Sequence, residues 1–301
     1  MFLKKICVFL PVVFLAVDMF LLSLCFETRK NLSYLSETMM TDAVNYFESC
    51  GVTVRSSVIK EKIPDNAVYT FLADNASLAP EIAQKLADAY FPDSPVSFVE
   101  TPDGVAYSIG NAGTAASFRV TDGSYRFEYS ESGFSKDLLP ALSTEPFTSQ
   151  NPQLDDRQTD AVHVFMQALS AAKSDRRDYT LQGVLTRSDG VYVCLSQNIA
   201  GAYPVNDMFV NLYLREDHVA YACGNRMFAA LQRSYSQPLI DGVNALRSLE
   251  LDGVKEILSE QIVYVHRSTG GDTYYLIPVW KITYLDTDGV FQTQYVDAIK
   301  K

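Results

Sequence analysis

Side chains able to do chemistry are thinly spread along this sequence. The histidines are His163, His218 and His266, and the sequence sets none of them in a ligand or catalytic motif with another histidine, a cysteine or an acid. A zinc site or an imidazole acid-base centre is therefore not expected. No G-x-S-x-G, Walker loop, G-x-G-x-x-G or H-E-x-x-H pattern occurs. Asp155 and Asp156 read as the solvated start of a helix rather than as a glycosidase carboxylate pair. Cys7 and Cys25 lie in an N-terminal apolar run, which leaves Cys50, Cys194 and Cys223 without any CxxC. Cys194 and Cys223 fall on candidate neighbouring strands, where a disulfide and two buried thiols are both open. The expectation is a chain without catalytic, cofactor-binding or metal-binding residues.

One ionisable group stands out by position. From Ile6 to Phe26 the chain reads ICVFLPVVFLAVDMFLLSLCF, long enough for a transmembrane helix, which needs about 20 apolar residues. Asp18 sits near its middle, where a charge costs about 2.5 to 3.5 kcal/mol. An acid there is expected to hydrogen-bond a polar or basic group on another membrane helix, which makes Asp18 the candidate partner contact. A cleaved leader is the rival reading, but the run is long for one and no small-residue site closes it. Leu24 before Cys25 also spoils a lipobox. Lys4 and Lys5 on one side balance Arg29 and Lys30 on the other, so flanking charge decides little. With only five residues ahead of the span, the expected topology is a cytoplasmic N-terminus and an extracytoplasmic body in the cell membrane.

Charge limits the partners further. The 36 acidic residues outweigh 25 basic ones for a net charge of −11, and no basic run is present, so nucleic-acid binding is excluded as an expectation. With 48% hydrophobic residues the chain can bury a real core.

The elements that must position all this follow from periodicity. Leu35, Met39, Ala43, Tyr46 and Phe47 recur at helical steps over 31–50, and Gly51 stops them. VYTFLA reads as a strand, and Ser77 as the cap of a helix ended by Pro92 and Pro95. SFVE, VAYSIG, ASFRV and YRFEYS then form a meander with Asp103-Gly104 and Asp122-Gly123 as mirror-image turns. Residues 131–154, with Pro140, Pro146 and Pro152, read as a linker. A helix carrying Val162, Phe165, Met166 and Leu169 follows an acidic first turn. Four strands come next, the first two joined at Asp189-Gly190, then a helix from about Pro238 to Leu249. Two long strands, TYYLIPVWKITYL and FQTQYVDAI, close the chain around Asp288-Gly289. Trp280 is expected in the core beside Leu276 and Ile282, and Pro278 at an edge or bulge. TDGSYRFEY and TDGVFQTQY, the latter ending at Tyr295, form a weak internal repeat. The fold class is α+β: a cytoplasmic tail (1–5), a transmembrane helix (6–26), a first subdomain of helices on an antiparallel meander (31–130), the linker, and a second such subdomain (155–301).

Two stretches resemble the YycI family. The short basic start with its apolar span containing FLAVDMFLL is similar to the family's N-terminus, with Asp18 where Asn is typical. YYLIPVWKITY followed by YVDAIKK resembles the family's closing Pro-x-Trp strand and terminal strand, with Asp297 where Asn is usual. The resemblance implies a non-catalytic, single-pass regulator of a cell-wall-sensing two-component system, acting with a YycH-like protein on a WalK/YycG-type sensor histidine kinase. The alternative is an extracytoplasmic peptide-binding or peptidase-inhibitor-like module that captures an extended segment.

Overall fold

The computed structural model describes residue 19 and residues 35–59, 68–71, 75–110, 115–121, 125–134, 146–149, 151–170, 178–199, 203–229, 232–235, 237–268 and 274–299. Apart from Met19, the expected span at 6–26, with Asp18, and the Asp122-Gly123 turn lie outside the described residues. Among the described residues no helix is long and apolar enough to cross a membrane.

The fold is mixed α+β, built on a large, mostly antiparallel sheet with helices. In chain order its strands are β1 (Thr53–Val54), β2 (Val68–Phe71), β3 (Val96–Thr101), β4 (Gly104–Ile109), β5 (Ala116–Thr121), β6 (Arg126–Glu131), β7 (Tyr179–Arg187), β8 (Gly190–Ile199), β9 (Tyr203–Arg215), β10 (His218–Asn225), β11 (Gln232–Tyr235), β12 (Val254–Ser268), β13 (Tyr274–Asp286) and β14 (Phe291–Asp297). The helices are α1 (Glu37–Ser49), α2 (Asn75–Tyr90), α3 (Asp156–Ala168) and α4 (Gly242–Arg247).

Two compact units are distinguishable: residues 1–66, 237–262 and 279–301 in the first, residues 67–236 and 263–278 in the second. The meanders β3–β6 and β7–β10, expected in separate subdomains, belong to the same unit and are joined by the β6–β10 ladder.

In the first unit, Ser36 caps α1 by accepting from the Met39 amide, and the helix buries Ala43 and Phe47. β1 pairs in parallel with β12, Thr53 against Glu256 and Val54 against Ile257. The helix expected from Pro238 is shorter. Residues before Asp241 are extended, with Leu239 bridged to Ile299, and Asp241 caps α4 through the Asn244 amide. Trp280 is buried as expected and donates its indole N–H to the Ile240 carbonyl at 3.1 Å, so it locks that extended stretch in place. The β13–β14 turn is organised by a residue the sequence reading passed over. Asp286 accepts from the Asp288 and Val290 amides and from the Gln292 side chain, while Gly289 takes φ +79°. Those bonds, the Val290 amide first and Gln292 next, hold the Asp286 carboxyl below its usual range.

In the second unit the sheet runs β7-β8-β9-β10-β6-β5-β4-β3, and β9 also meets β12 in parallel at Val205 and Tyr264. Asp155 and Gln158 form a reciprocal capping box at the start of α3. α2 starts at Asn75, two residues before the expected cap. These two helices lay Ile82, Leu86, Phe165 and Met166 on one face of the sheet, against Phe118, Phe127, Leu195 and Leu212. Two turns differ from expectation. Thr101 pairs with Gly104 and Arg187 with Gly190, so the corners are Pro102-Asp103 and Ser188-Asp189. Pro102 is locked at negative φ and cannot enter a mirror-image turn. The positive φ falls one place later, on Gly104 (+149°) and Gly190 (+158°).

Candidate functional site: the open face of the sheet

With helices covering one side of the second unit's sheet, every other residue of β5, β6, β10, β9 and β8 is left on the opposite side. The register aligns them in rows. One row runs Arg119, Glu128, Cys223, Asn211, Cys194 and Gly183, each directly opposite the next. A second holds Ser130, Tyr221, Tyr213 and Tyr192. A third holds Arg126, Asn225, Phe209 and Ser196.

The tyrosine row is covered by the chain's own residues. Phe134 stacks on Tyr221 at 5.0 Å between ring centroids and lies 5.2 Å from Tyr213. Tyr213 sits 5.0 Å from Tyr192, whose hydroxyl donates to the Asp189 carboxylate at 2.8 Å. Burial first, and that bond second, push the Tyr192 phenol up to about 12. Beyond it, the stretch 146–149 lies along β7. The Ser149 amide donates to the Gln182 carbonyl, and the Ser149 hydroxyl accepts from the Val184 amide at 3.0 Å. The Phe147 ring rests on Gly183, where any side chain would collide with it. This part of the expected linker is therefore a strap on the sheet.

Among the described residues the other end of the same face is uncovered. A groove of about 480 Å³ has Phe209, Tyr221 and Cys223 along its floor and Asp103, Arg119, Arg126 and Glu128 around its rim. The floor residues are buried, whereas Asp103 and Arg126 are exposed and Arg119 and Glu128 half-buried. Arg119 is tied to Asp103 at 3.2 Å. Burial, then the nearby Cys223 and Glu128, push the Tyr221 phenol up, so it stays a neutral donor. The arrangement can recognise charge of both signs above a flat apolar floor.

A second recess of about 420 Å³ in the same unit is lined by Tyr125, His266, Asn206, Asp207, Met208 and Asn225, among others. The Tyr125 hydroxyl and His266 Nε2 are 2.8 Å apart, and burial lowers the His266 pKa so that the ring is neutral. His163 contacts Gln167 at 3.0 Å and Tyr179 at 3.4 Å. His218, which the sequence sets in no ligand or catalytic motif, lies 3.2 Å from the Glu131 carboxylate, brought from far along the chain by the β6–β10 pairing. Burial first and Glu131 second push the phenols of Tyr90 and Tyr129 up. Among the described residues no three His, Cys, Asp or Glu side chains are grouped to hold a metal ion.

Neither Cys194 nor Cys223 is in a disulfide. They flank Asn211 on β8 and β10, two strand spacings or about 10 Å apart, beyond the 4.4 to 6.8 Å that a disulfide spans. Of the residues singled out from sequence, Trp280 is core, Asp288 and Gly289 form the β13–β14 turn, and Tyr295 lies opposite Lys281 on β14 with its ring half exposed. Pro278 falls between the part of β13 paired with β2 and the part paired with β14. None of them lines the groove. Its rim residues carried a signal that went unread: ASFRV and YRFEYS put Arg119, Arg126 and Glu128 on the same alternation.

No protein-family model matches the chain, and no curated protein matches it significantly. Solved structures do. An uncharacterized protein from Eubacterium rectale ATCC 33656 is similar at TM-score 0.50 and 11% identity, over 83% of this chain and 89% of that one. The Bacillus megaterium YpeB C-terminal domain aligns at TM-score 0.36 and 12% identity, over 76% of this chain and 95% of that one. The first likeness shows a shared fold and nothing about activity, and the second is too loose to add to it.

Proposed function

We propose that this chain is a single-pass membrane regulator similar to the YycI family, non-catalytic, with its α+β body outside the cell. It modulates a WalK/YycG-type sensor histidine kinase together with a YycH-like protein. The apolar run with Asp18 and the closing Pro278-x-Trp280 strand support the family resemblance. The observation that carries a recognition role for the body is the groove on the open sheet face, where charges of both signs surround a floor fixed by three ladder-paired strands. A regulator of this kind must bind two signalling states of its partner with different affinity, and a mixed-charge surface suits that discrimination.

The test is membrane fractionation and co-purification of the full chain in cells holding the kinase and the YycH-like protein. The chain should stay in the membrane uncleaved and bring the kinase with it, and Asp18→Leu should weaken that recovery. A shortened product free of the membrane overturns the reading. A fragment from residue 31 onward that keeps the whole regulatory effect removes bilayer pairing as the mechanism. The second reading, an extracytoplasmic peptide-binding module, is favoured by the same groove and by the strap beside it.

A further inference from the structure

The last hairpin, in the first unit, leaves apolar surface uncovered. Phe291 is 72% exposed, the highest value of any large apolar side chain among the described residues, and Val290 beside it is 53% exposed. Phe291 lies directly opposite Leu285, and alternation puts the pair on the face of β13 and β14 turned away from the buried Trp280 and Ile282. Thr293 opposite Thr283 continues that face. Among the described residues β14 has no strand partner besides β13, so the face ends at a sheet edge. A single exposed apolar residue is ordinary. Apolar neighbours grouped at an edge and flanked by charge mark a contact surface.

The flanking charge is of one sign. The Thr287 amide donates to the Gly253 carbonyl at 2.9 Å, which joins the β13–β14 turn to the turn ahead of β12. Three aspartates adjoin that bond in sequence: Asp286 and Asp288 on either side of Thr287, and Asp252 before Gly253. Glu250 lies two residues earlier, and all but Asp286 are exposed. Among the described residues none of the four has a basic partner. Lys255 is the single base in 250–255 and 286–291, so four acids against one base leave these two stretches at −3.

That charge selects the occupant. An anionic lipid surface or a nucleic acid would be repelled. A second copy of the hairpin would set acids against acids. A metal ion would leave Phe291 unused, and among the described residues no three acids are grouped to hold one. A polypeptide with cations on either side of an apolar residue matches both the carboxylates and the Phe291 ring, over which a cation is also favoured.

We infer that the tip of the β13–β14 hairpin is a docking surface for a basic segment of a partner protein, in which lysines or arginines flank an apolar or aromatic residue. The cations face Glu250, Asp252 and Asp288, and the apolar residue packs on Phe291 and Val290. Because the surface is exposed, the contact is weak and salt-sensitive. It goes beyond the regulator reading and does not rest on the groove.

Fluorescence anisotropy with the purified full chain in a neutral detergent tests this with three labelled peptides: Lys-Lys-Phe-Lys-Lys, Lys-Lys-Ser-Lys-Lys and Glu-Glu-Phe-Glu-Glu. The first should bind at least about fivefold more tightly than the second, and the third should not bind at millimolar concentration. Phe291→Ser should bring the first down to the level of the second. Asp252→Asn combined with Asp288→Asn should weaken both basic peptides at least about fivefold, with circular dichroism unchanged. Glu37→Gln combined with Asp42→Asn, the same change of charge on exposed positions of α1, should leave binding in place. Equal binding of the phenylalanine and serine peptides, no binding of either, or equal weakening by the α1 variant overturns the inference.

Discussion

Asn75 offers a sharp test of how the second unit is held together. The side chain is 1% exposed at the start of α2. Its amide nitrogen donates to the Arg226 carbonyl, and its oxygen accepts from the Phe228 amide at 3.0 Å. One side chain thus ties the helix to the segment leaving β10, where Arg226 is itself buried and bonded to Ser170 at 2.9 Å. Asn75→Ala removes both bonds and leaves two backbone groups without that partner in a region closed to water. At about 1 to 3 kcal/mol for each unsatisfied group, the expected loss is about 2 to 6 kcal/mol. Urea unfolding followed by far-ultraviolet circular dichroism measures it. Hydrogen exchange supplies a local check, because protection at the Phe228 amide should fall more than at Leu212 in the middle of the sheet. A loss below about 0.5 kcal/mol, the range of an ordinary surface change, with Phe228 protection unaltered would refute the reasoning.

Other outcomes follow from the same geometry. Gly242→Ala would thrust a methyl group into the buried Glu260 carboxylate, so it should cost about 1 to 3 kcal/mol by the same unfolding assay; a neutral substitution would show that Glu260 moves freely. His266, lowered by burial, stays neutral in the fold while the unfolded chain takes up a proton just below 6.5. Stability should therefore fall as pH drops through that window, and His266→Gln should flatten the slope of melting temperature between pH 7 and 5. Cys194 and Cys223 should react as free thiols in denaturant without prior reduction, and a reductant should leave the melting temperature in place; a mass lower by two hydrogens would contradict the strand spacing.

Much of the second unit was legible from local pattern. The alternation in ASFRV, YRFEYS, VYVCLSQN and MFVNLYL marks strands because one face is packed and the other is not. The stripes on α2 and α3 mark helices for the same reason. β12 was missed. Its first half carries Lys255, Glu256, Ser259, Glu260 and Gln261, residue types poorly suited to strands, and its buried positions Val254, Ile257 and Glu260 recur at threes. Pairing with β1 and β9 overrides that preference. Within the expected linker, the hold of 146–149 on β7 was not legible, because it comes from Ser149 and Phe147, whose contacts are distant in sequence.

What the sequence determined by itself is what depends on near neighbours: the apolar run at 6–26, the amphipathic stripes, Gly51 and Gly289 as stops and turns, and a burial-prone Trp280. Only the tertiary structure decided which strands lie side by side. That choice set Arg119 against Glu128, Glu128 against Cys223 and Glu131 beside His218, and it put Cys194 two strands from Cys223. Side-chain alternation tells a residue which face it occupies, but strand order is chosen by packing over the whole sheet. The groove, made of four strands and a turn, exists only after that choice.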